Sequence, residues 1–232
     1  MTNVPTGAAP QLIVRRALRT PRSAATAGIA FSVLFVTALG MIRWAMPSDP
    51  ADAGDWVADG SRRRAALFGL SLAPFAGIAF LWFIGVVRDR IGELEDRFFA
   101  TVFLGSGLLF VAMLFVDAAL AASLVSTAGD GGPDFTASGA WVLGRHFVFT
   151  LMTVYAMRMA AVFTIATSTI LRLSGTGPRW LATSGYVIAV VLLLTVGYFS
   201  WVELLFPLWV LVLSLHILMT SVRREREQHS SG

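Results

Sequence analysis

The chain has 232 residues, 56% of them hydrophobic and 14% charged, with a mean hydropathy of +0.72. A soluble domain averages about 45–50% apolar and about 25% charged residues. The balance here excludes a soluble globular, disordered or nucleic-acid-binding chain and makes lipid the solvent for most of it. All 18 basic residues are arginine and the net charge is only +4, so the pI near 10.6 reflects topology rather than a nucleic-acid footprint.

An N-terminal arm, residues 1–23, carries Arg15, Arg16, Arg19 and Arg22 among Leu12, Ile13, Val14 and Leu18, a pattern suited to an anionic membrane surface. Six apolar blocks follow within residues 24–222: Ala24–Met46, Ala65–Val87, Phe99–Leu124, Trp141–Leu171, Trp180–Phe199 and Trp201–Val222. Each is long enough for a helix across about 30 Å of hydrocarbon, which takes about 20 residues. The blocks are continuously apolar rather than alternating, so the predicted fold is an all-α integral membrane bundle of six transmembrane helices. The first block is too long for the hydrophobic region of a cleaved signal, which is about 7–15 residues, and reads as a retained span. Pro74 and Gly77 in the second block are candidates for a helix break. Residues 125–139, with Gly131-Gly132-Pro133, read as an external loop. Residues 223–232 read as a solvated cytoplasmic tail.

Twelve arginines fall on the side of the two termini and four on the other, which places both termini in the cytoplasm of a bacterial plasma membrane. Trp44, Trp141, Trp180 and Trp201 stand at block ends, where amphipathic rings favour the headgroup level. Ala27-Gly28-Ile29-Ala30-Phe31 recurs as Ala76-Gly77-Ile78-Ala79-Phe80, a repetition that composition alone accounts for.

Charge inside the spans is the sharpest functional signal. Arg158 lies near the middle of the fourth block, where an arginine costs at least about 2.5 kcal/mol on insertion scales and normally faces a partner, a bundle interior or water. Asp117 lies in the outer half of the third block, within reach of a snorkelling Arg158, so an Asp117–Arg158 pair is expected. Tyr155 is one turn before Arg158. Arg43, Arg145, His146 and Glu203 arrive at the same leaflet. Together Arg43, Asp117, His146, Tyr155, Arg158 and Glu203 form a candidate polar site. Its formal sum is zero with His146 neutral and +1 with His146 protonated, the state in which it favours an anion. The alternative is a structural ion pair with ordinary helix-end charges.

Other patterns point elsewhere. Asp49, Asp52, Asp55 and Asp59 before Arg62–Arg64 read as a short interfacial helix with Trp56 inserted and Asp59 paired to Arg62 or Arg63, rather than a divalent-cation site. Ser106, in Gly105-Ser106-Gly107, and His216 lie at similar depth and allow a Ser–His dyad. The absence of cysteine and lysine and the spacing of the histidines leave no thiolate, Schiff-base, metal or haem site, so no cofactor is expected.

Gly175-Thr176-Gly177-Pro178-Arg179-Trp180, followed by a leucine- and valine-rich run, resembles a pattern in uncharacterised multi-pass membrane proteins of actinobacteria. That resemblance implies a similar fold and no activity. Three functions follow from the sequence: a non-catalytic accessory or assembly subunit with a membrane-protein partner or a second copy; a small transporter or channel-like protein; and, remotely, an intramembrane Ser–His hydrolase.

Overall fold

The computed structural model describes residues 21–47, 49, 54–91, 97–175, 177–195 and 201–230. These form helices α1 (Pro21–Ala45), α2 (Gly60–Ile91), α3 (Arg97–Thr136), α4 (Gly139–Thr150), α5 (Met157–Ser174), α6 (Arg179–Thr195) and α7 (Leu205–Ser230). A π-helical stretch, Leu151–Ala156, joins α4 to α5 without a break, and 3-10 turns occupy Asp55–Ala58 and Val202–Leu204. No strand occurs among the described residues. Residues 1–20 of the N-terminal arm, Asp52, residues 92–96 between the second and third blocks, and residues 196–200 between the last two blocks lie outside the described residues.

Five helical stretches are long and apolar enough to cross a membrane: Ser23–Ala45, Gly60–Arg88, Phe98–Thr136, Gly139–Ser174 and Val202–Val222. The sixth block is represented by the shorter apolar helix Arg179–Leu194. The chain is therefore a multi-pass, all-helical membrane protein.

Local chemistry sets the helix ends. Asp59 caps α2: its Oδ1 accepts from the Ser61 backbone N–H (2.8 Å), the Ser61 hydroxyl (2.6 Å) and the Arg62 N–H (3.4 Å). This replaces the expected pairing of Asp59 with an arginine side chain, because a carboxylate placed before a helix meets the open N–H groups of the first turn first. Ser138 caps α4 through the Trp141 N–H. Gly175, at φ 63°, closes α5 in the left-handed conformation that glycine favours.

Two expectations about breaks are corrected. Helix α2 runs unbroken through Pro74 and Gly77. The segment expected to be a loop, 125–139, is mostly helical, with its break where Gly131-Gly132-Pro133 stands: the helix runs to Gly131, kinks at Gly132 (φ 57°, ψ −152°), and a short second helical stretch from Pro133 reaches Thr136. The continuation has a partner to pack on. Val125 and Ala128 bury themselves against Trp56, Val57, Ala45 and Trp141 in a small second core. Trp141 is accordingly 1% exposed, not at the lipid interface, and Trp56 lies beside it with ring centroids 6.5 Å apart. Trp44, Trp180 and Trp201 are well exposed on the outside of the bundle.

The main core centres on five fully buried phenylalanines, one from each of α1, α2, α3, α5 and α7: Phe31, Phe80, Phe110, Phe163 and Phe206. Phe80 is the hub, with centroids 4.5 Å from Phe31, 5.4 Å from Phe110, 5.0 Å from Phe163 and 5.6 Å from Phe206. In lipid, helix association rests on such close packing because burial from water no longer drives it. Small residues allow the same closeness elsewhere. A Cβ on Gly28 would strike Ser214 and Phe83, and one on Gly185 would strike Ser168 and Trp209. The pentapeptide repeat thus supplies two core rings, Phe31 and Phe80, and two tight glycines, Gly28 and Gly77.

Candidate functional site

At the end of the bundle marked by Trp44 and Trp201, α1–α4, the π stretch and the start of the last span line a partly open cavity of about 130 Å³. Its walls are largely apolar, with Phe35, Leu39, Leu70, Leu114, Val148, Phe149 and Met152 among them. Four ionisable side chains reach it: Arg43 from the last turn of α1, Asp117 from the middle of α3, Arg145 from α4 and Glu203 from the 3-10 turn before α7.

These four are not equivalent. The Arg43 Nη2 donates to the Glu203 carboxylate at 2.8 Å, and both side chains are largely buried, at 15% and 4% exposed. The Arg145 Nη2 donates to the backbone carbonyls of Pro47 (2.9 Å) and Asp49 (2.8 Å), and its guanidinium lies 5.8 Å from the centroid of the Trp141 ring. Both cations are therefore held within the protein. Asp117 is 8% exposed, and its Oδ1 is buried with no hydrogen-bond partner. A buried carboxyl oxygen left in this state is unfavourable, by about 1–3 kcal/mol or more, unless a ligand, proton or water completes it.

Of the six residues singled out by sequence, the cavity unites Arg43, Asp117 and Glu203. It does not include His146, Tyr155 or Arg158, all of which are exposed on the outside of the bundle. The expected Asp117–Arg158 pair does not form. On α5 and the preceding turn the buried stripe is Thr153, Ala156, Met157, Ala160 and Thr164, and Arg158 falls on the opposite face. The Arg158 Nη1 instead donates to the carbonyl of Val154, 2.9 Å away. His146 likewise directly follows the inward-facing Arg145, so the helical period turns it away.

Arg145, placed by the sequence at the same leaflet but left out of the candidate site in favour of its neighbour His146, is the fourth charged lining residue. Its signal was the position one turn after Trp141, on the same helical face.

Ser106 and His216 are not joined. The Ser106 hydroxyl donates to the carbonyl of Val102 at 2.6 Å on its own helix, the usual role of a serine within a span. Among the described residues no cluster of three or more acidic or histidine side chains is placed to hold a metal ion.

Compared with known proteins, the chain matches no family model, no curated protein and no solved structure.

Proposed function

We infer that this multi-pass membrane protein is a small transporter or channel-like protein whose cavity binds a small, partly apolar solute bearing a positive charge, such as a protonated amine. One observation carries the reading: the buried, unpartnered Oδ1 of Asp117 at the wall of a largely apolar cavity whose other carboxylate, Glu203, is already paired with Arg43. An apolar pocket with a few convergent polar groups is the usual form of a small-molecule site. The volume, about 130 Å³, suits a molecule with about the bulk of benzene, which fills an engineered cavity of about 150 Å³ in another protein.

The sign of the ligand follows from which valences are already engaged. Arg43 is held by Glu203, and Arg145 is held by two carbonyls. Two buried atoms of lining residues make no hydrogen bond, the Asp117 Oδ1 acceptor and the Arg145 Nε donor; because the Arg145 guanidinium is already engaged by two carbonyls, the carboxyl sets the sign and the complementary ligand is a donor. An anion would lack a free cation in the cavity and would meet two carboxylates. With both termini in the cytoplasm, the cavity belongs to the outer half of a bacterial plasma membrane.

The test is binding of benzylammonium and butylammonium to the purified protein, read by calorimetry, with benzoate and butyrate as anionic counterparts. Ammonium ligands bind the parent chain, and Asp117→Asn loses at least tenfold in affinity while keeping its thermal transition. Equal binding by Asp117→Asn, or tighter binding of the carboxylates, overturns the reading.

A second reading, a non-catalytic accessory or assembly subunit, draws support from the outward-facing Arg158. A stoichiometric protein that co-purifies in mild detergent and is lost on substitution of Arg158 would establish it.

A further inference from the structure

Arg158 is exposed on the outer face of α5, away from the cavity. Its one hydrogen bond, from Nη1 to the Val154 carbonyl at 2.9 Å, holds the guanidinium against its own helix. It forms no ion pair with a described residue, so most of its five N–H donors are open toward lipid. Its neighbours fix its depth. Thirteen residues before it, Arg145 binds the Pro47 and Asp49 carbonyls just past α1. Five residues after it, Phe163 meets the Phe80 hub, and α5 ends at Ser174. At 1.5 Å per helical residue, Arg145 and Ser174 are roughly 20 Å and 24 Å away. Neither end of the bundle is within reach of the side chain. A charge facing lipid near mid-depth is costly and calls for an opposite charge at the same level.

The surface beside it has the form of a helix seat. Leu143, Phe147, Thr150, Tyr155 and Arg158 are all exposed, at steps of four, three, five and three residues. The long step falls in the π-helical stretch Leu151–Ala156, whose wider turn takes up one extra residue, so the five share one face. Steps of three and four are those by which one helix packs along another. This stripe runs roughly 20 Å from the start of α4 down to Arg158.

A second copy of the chain does not supply the missing charge. Asp117 and Glu203 are buried, and the exposed Asp49, Asp55, Asp59, Asp130 and Asp134 stand at helix ends or between spans. A two-fold contact through this stripe would set Arg158 against Arg158. We propose that the Leu143–Arg158 stripe seats a transmembrane helix of a different membrane protein, which carries an aspartate or glutamate near mid-depth and pairs its carboxylate with the Arg158 fork. This inference rests on the accessory-subunit reading and names the chemistry of its partner.

The experiment reconstitutes the full chain, with a fluorophore on its C-terminal tail, into phosphatidylcholine vesicles. Energy transfer reports association with synthetic leucine–alanine spans of about 20 residues. One carries aspartate at its centre, one asparagine at its centre and one aspartate at its end. The parent binds the central-aspartate span at least tenfold more tightly than the other two. Arg158→Gln removes that preference and Arg158→Lys keeps part of it. Thr150→Trp, which leaves the charge but obstructs the stripe, weakens association several-fold and carries the test with the parent if Arg158→Gln does not fold. Equal binding of the central-aspartate and asparagine spans by the parent, an unchanged preference in Arg158→Gln, or parent-like association in Thr150→Trp overturns the proposal. Preference for the end-placed aspartate also overturns it, as does self-association of the parent that Arg158→Gln abolishes. A protein that co-purifies through Arg158, with no preference among the three spans, would leave the accessory reading standing and remove the carboxylate.

Discussion

Replacing Arg43 by methionine removes the cation from the Arg43–Glu203 pair and leaves the Glu203 carboxylate, 4% exposed, facing the same cavity as Asp117. Breaking one side of a buried ion pair costs about 3–5 kcal/mol, because the remaining charge has lost both water and partner. Arg43 is itself 15% exposed, so the lower figure, about 3 kcal/mol, applies. For a chain of this length that loss lowers the thermal midpoint by about 6–12 °C, at about 2–4 °C per kcal/mol. Glu203→Met strands Arg43 instead and costs a similar amount, reduced by the ability of arginine to snorkel outward. The double variant removes both charges and fills their space with apolar atoms, a replacement that is often neutral or stabilising. Its midpoint should therefore return to within a few degrees of the parent. The assay is thermal unfolding of the four proteins in one detergent, read as a double-mutant cycle. A double variant as unstable as the sum of the two single variants would refute the pair and, with it, the claim that Arg43 is unavailable to an anionic ligand.

Three further outcomes follow. Gly185→Ala forces a methyl group onto Ser168 and the Trp209 ring, separating α5, α6 and α7; overpacking of this kind costs about 1–3 kcal/mol, and Gly185→Ala with Ser168→Ala should recover part of it in thermal unfolding. Phe80→Ala empties the hub of the aromatic core and should cost about 3–5 kcal/mol, more than the same change at the exposed Phe75, when both are compared by unfolding in mixed micelles. The Asp59 carboxyl is held below the usual carboxylate range, first by the Ser61 hydroxyl and then by the Ser61 N–H. Its folded-state pKa is depressed, so its stabilisation is present above the unfolded-state value and is lost as the pH falls through the folded one. Asp59→Ala should therefore lower the thermal midpoint at neutral pH, with the gap narrowing as the pH falls below the ordinary carboxylate range; a gap of constant size on acidification would show that the carboxylate charge contributes nothing.

Sequence alone determined that this chain is a multi-pass bundle of helices, because lipid requires every span to satisfy its own backbone and that requirement leaves long apolar blocks in the amino-acid order. It also marked Arg43, Asp117 and Glu203 as charges needing an explanation, since a charged side chain in or beside a span is costly wherever it points. Only the tertiary structure decided which charge meets which. Arg158 and Asp117 stand at compatible heights on adjacent spans, yet the buried stripe Thr153–Ala156–Met157–Ala160 turns Arg158 to the lipid and leaves Asp117 without it. Glu203 reaches Arg43 across 160 positions of chain, a pairing that no local spacing encodes. The helical continuation of 125–136 was equally hidden, because its glycines and Pro133 suggest a loop and only the buried Trp56–Trp141 contact gives the segment a surface to pack on. Depth along a helix can be read from the order of residues, but azimuth relative to a neighbour is set by the packing of all the helices together.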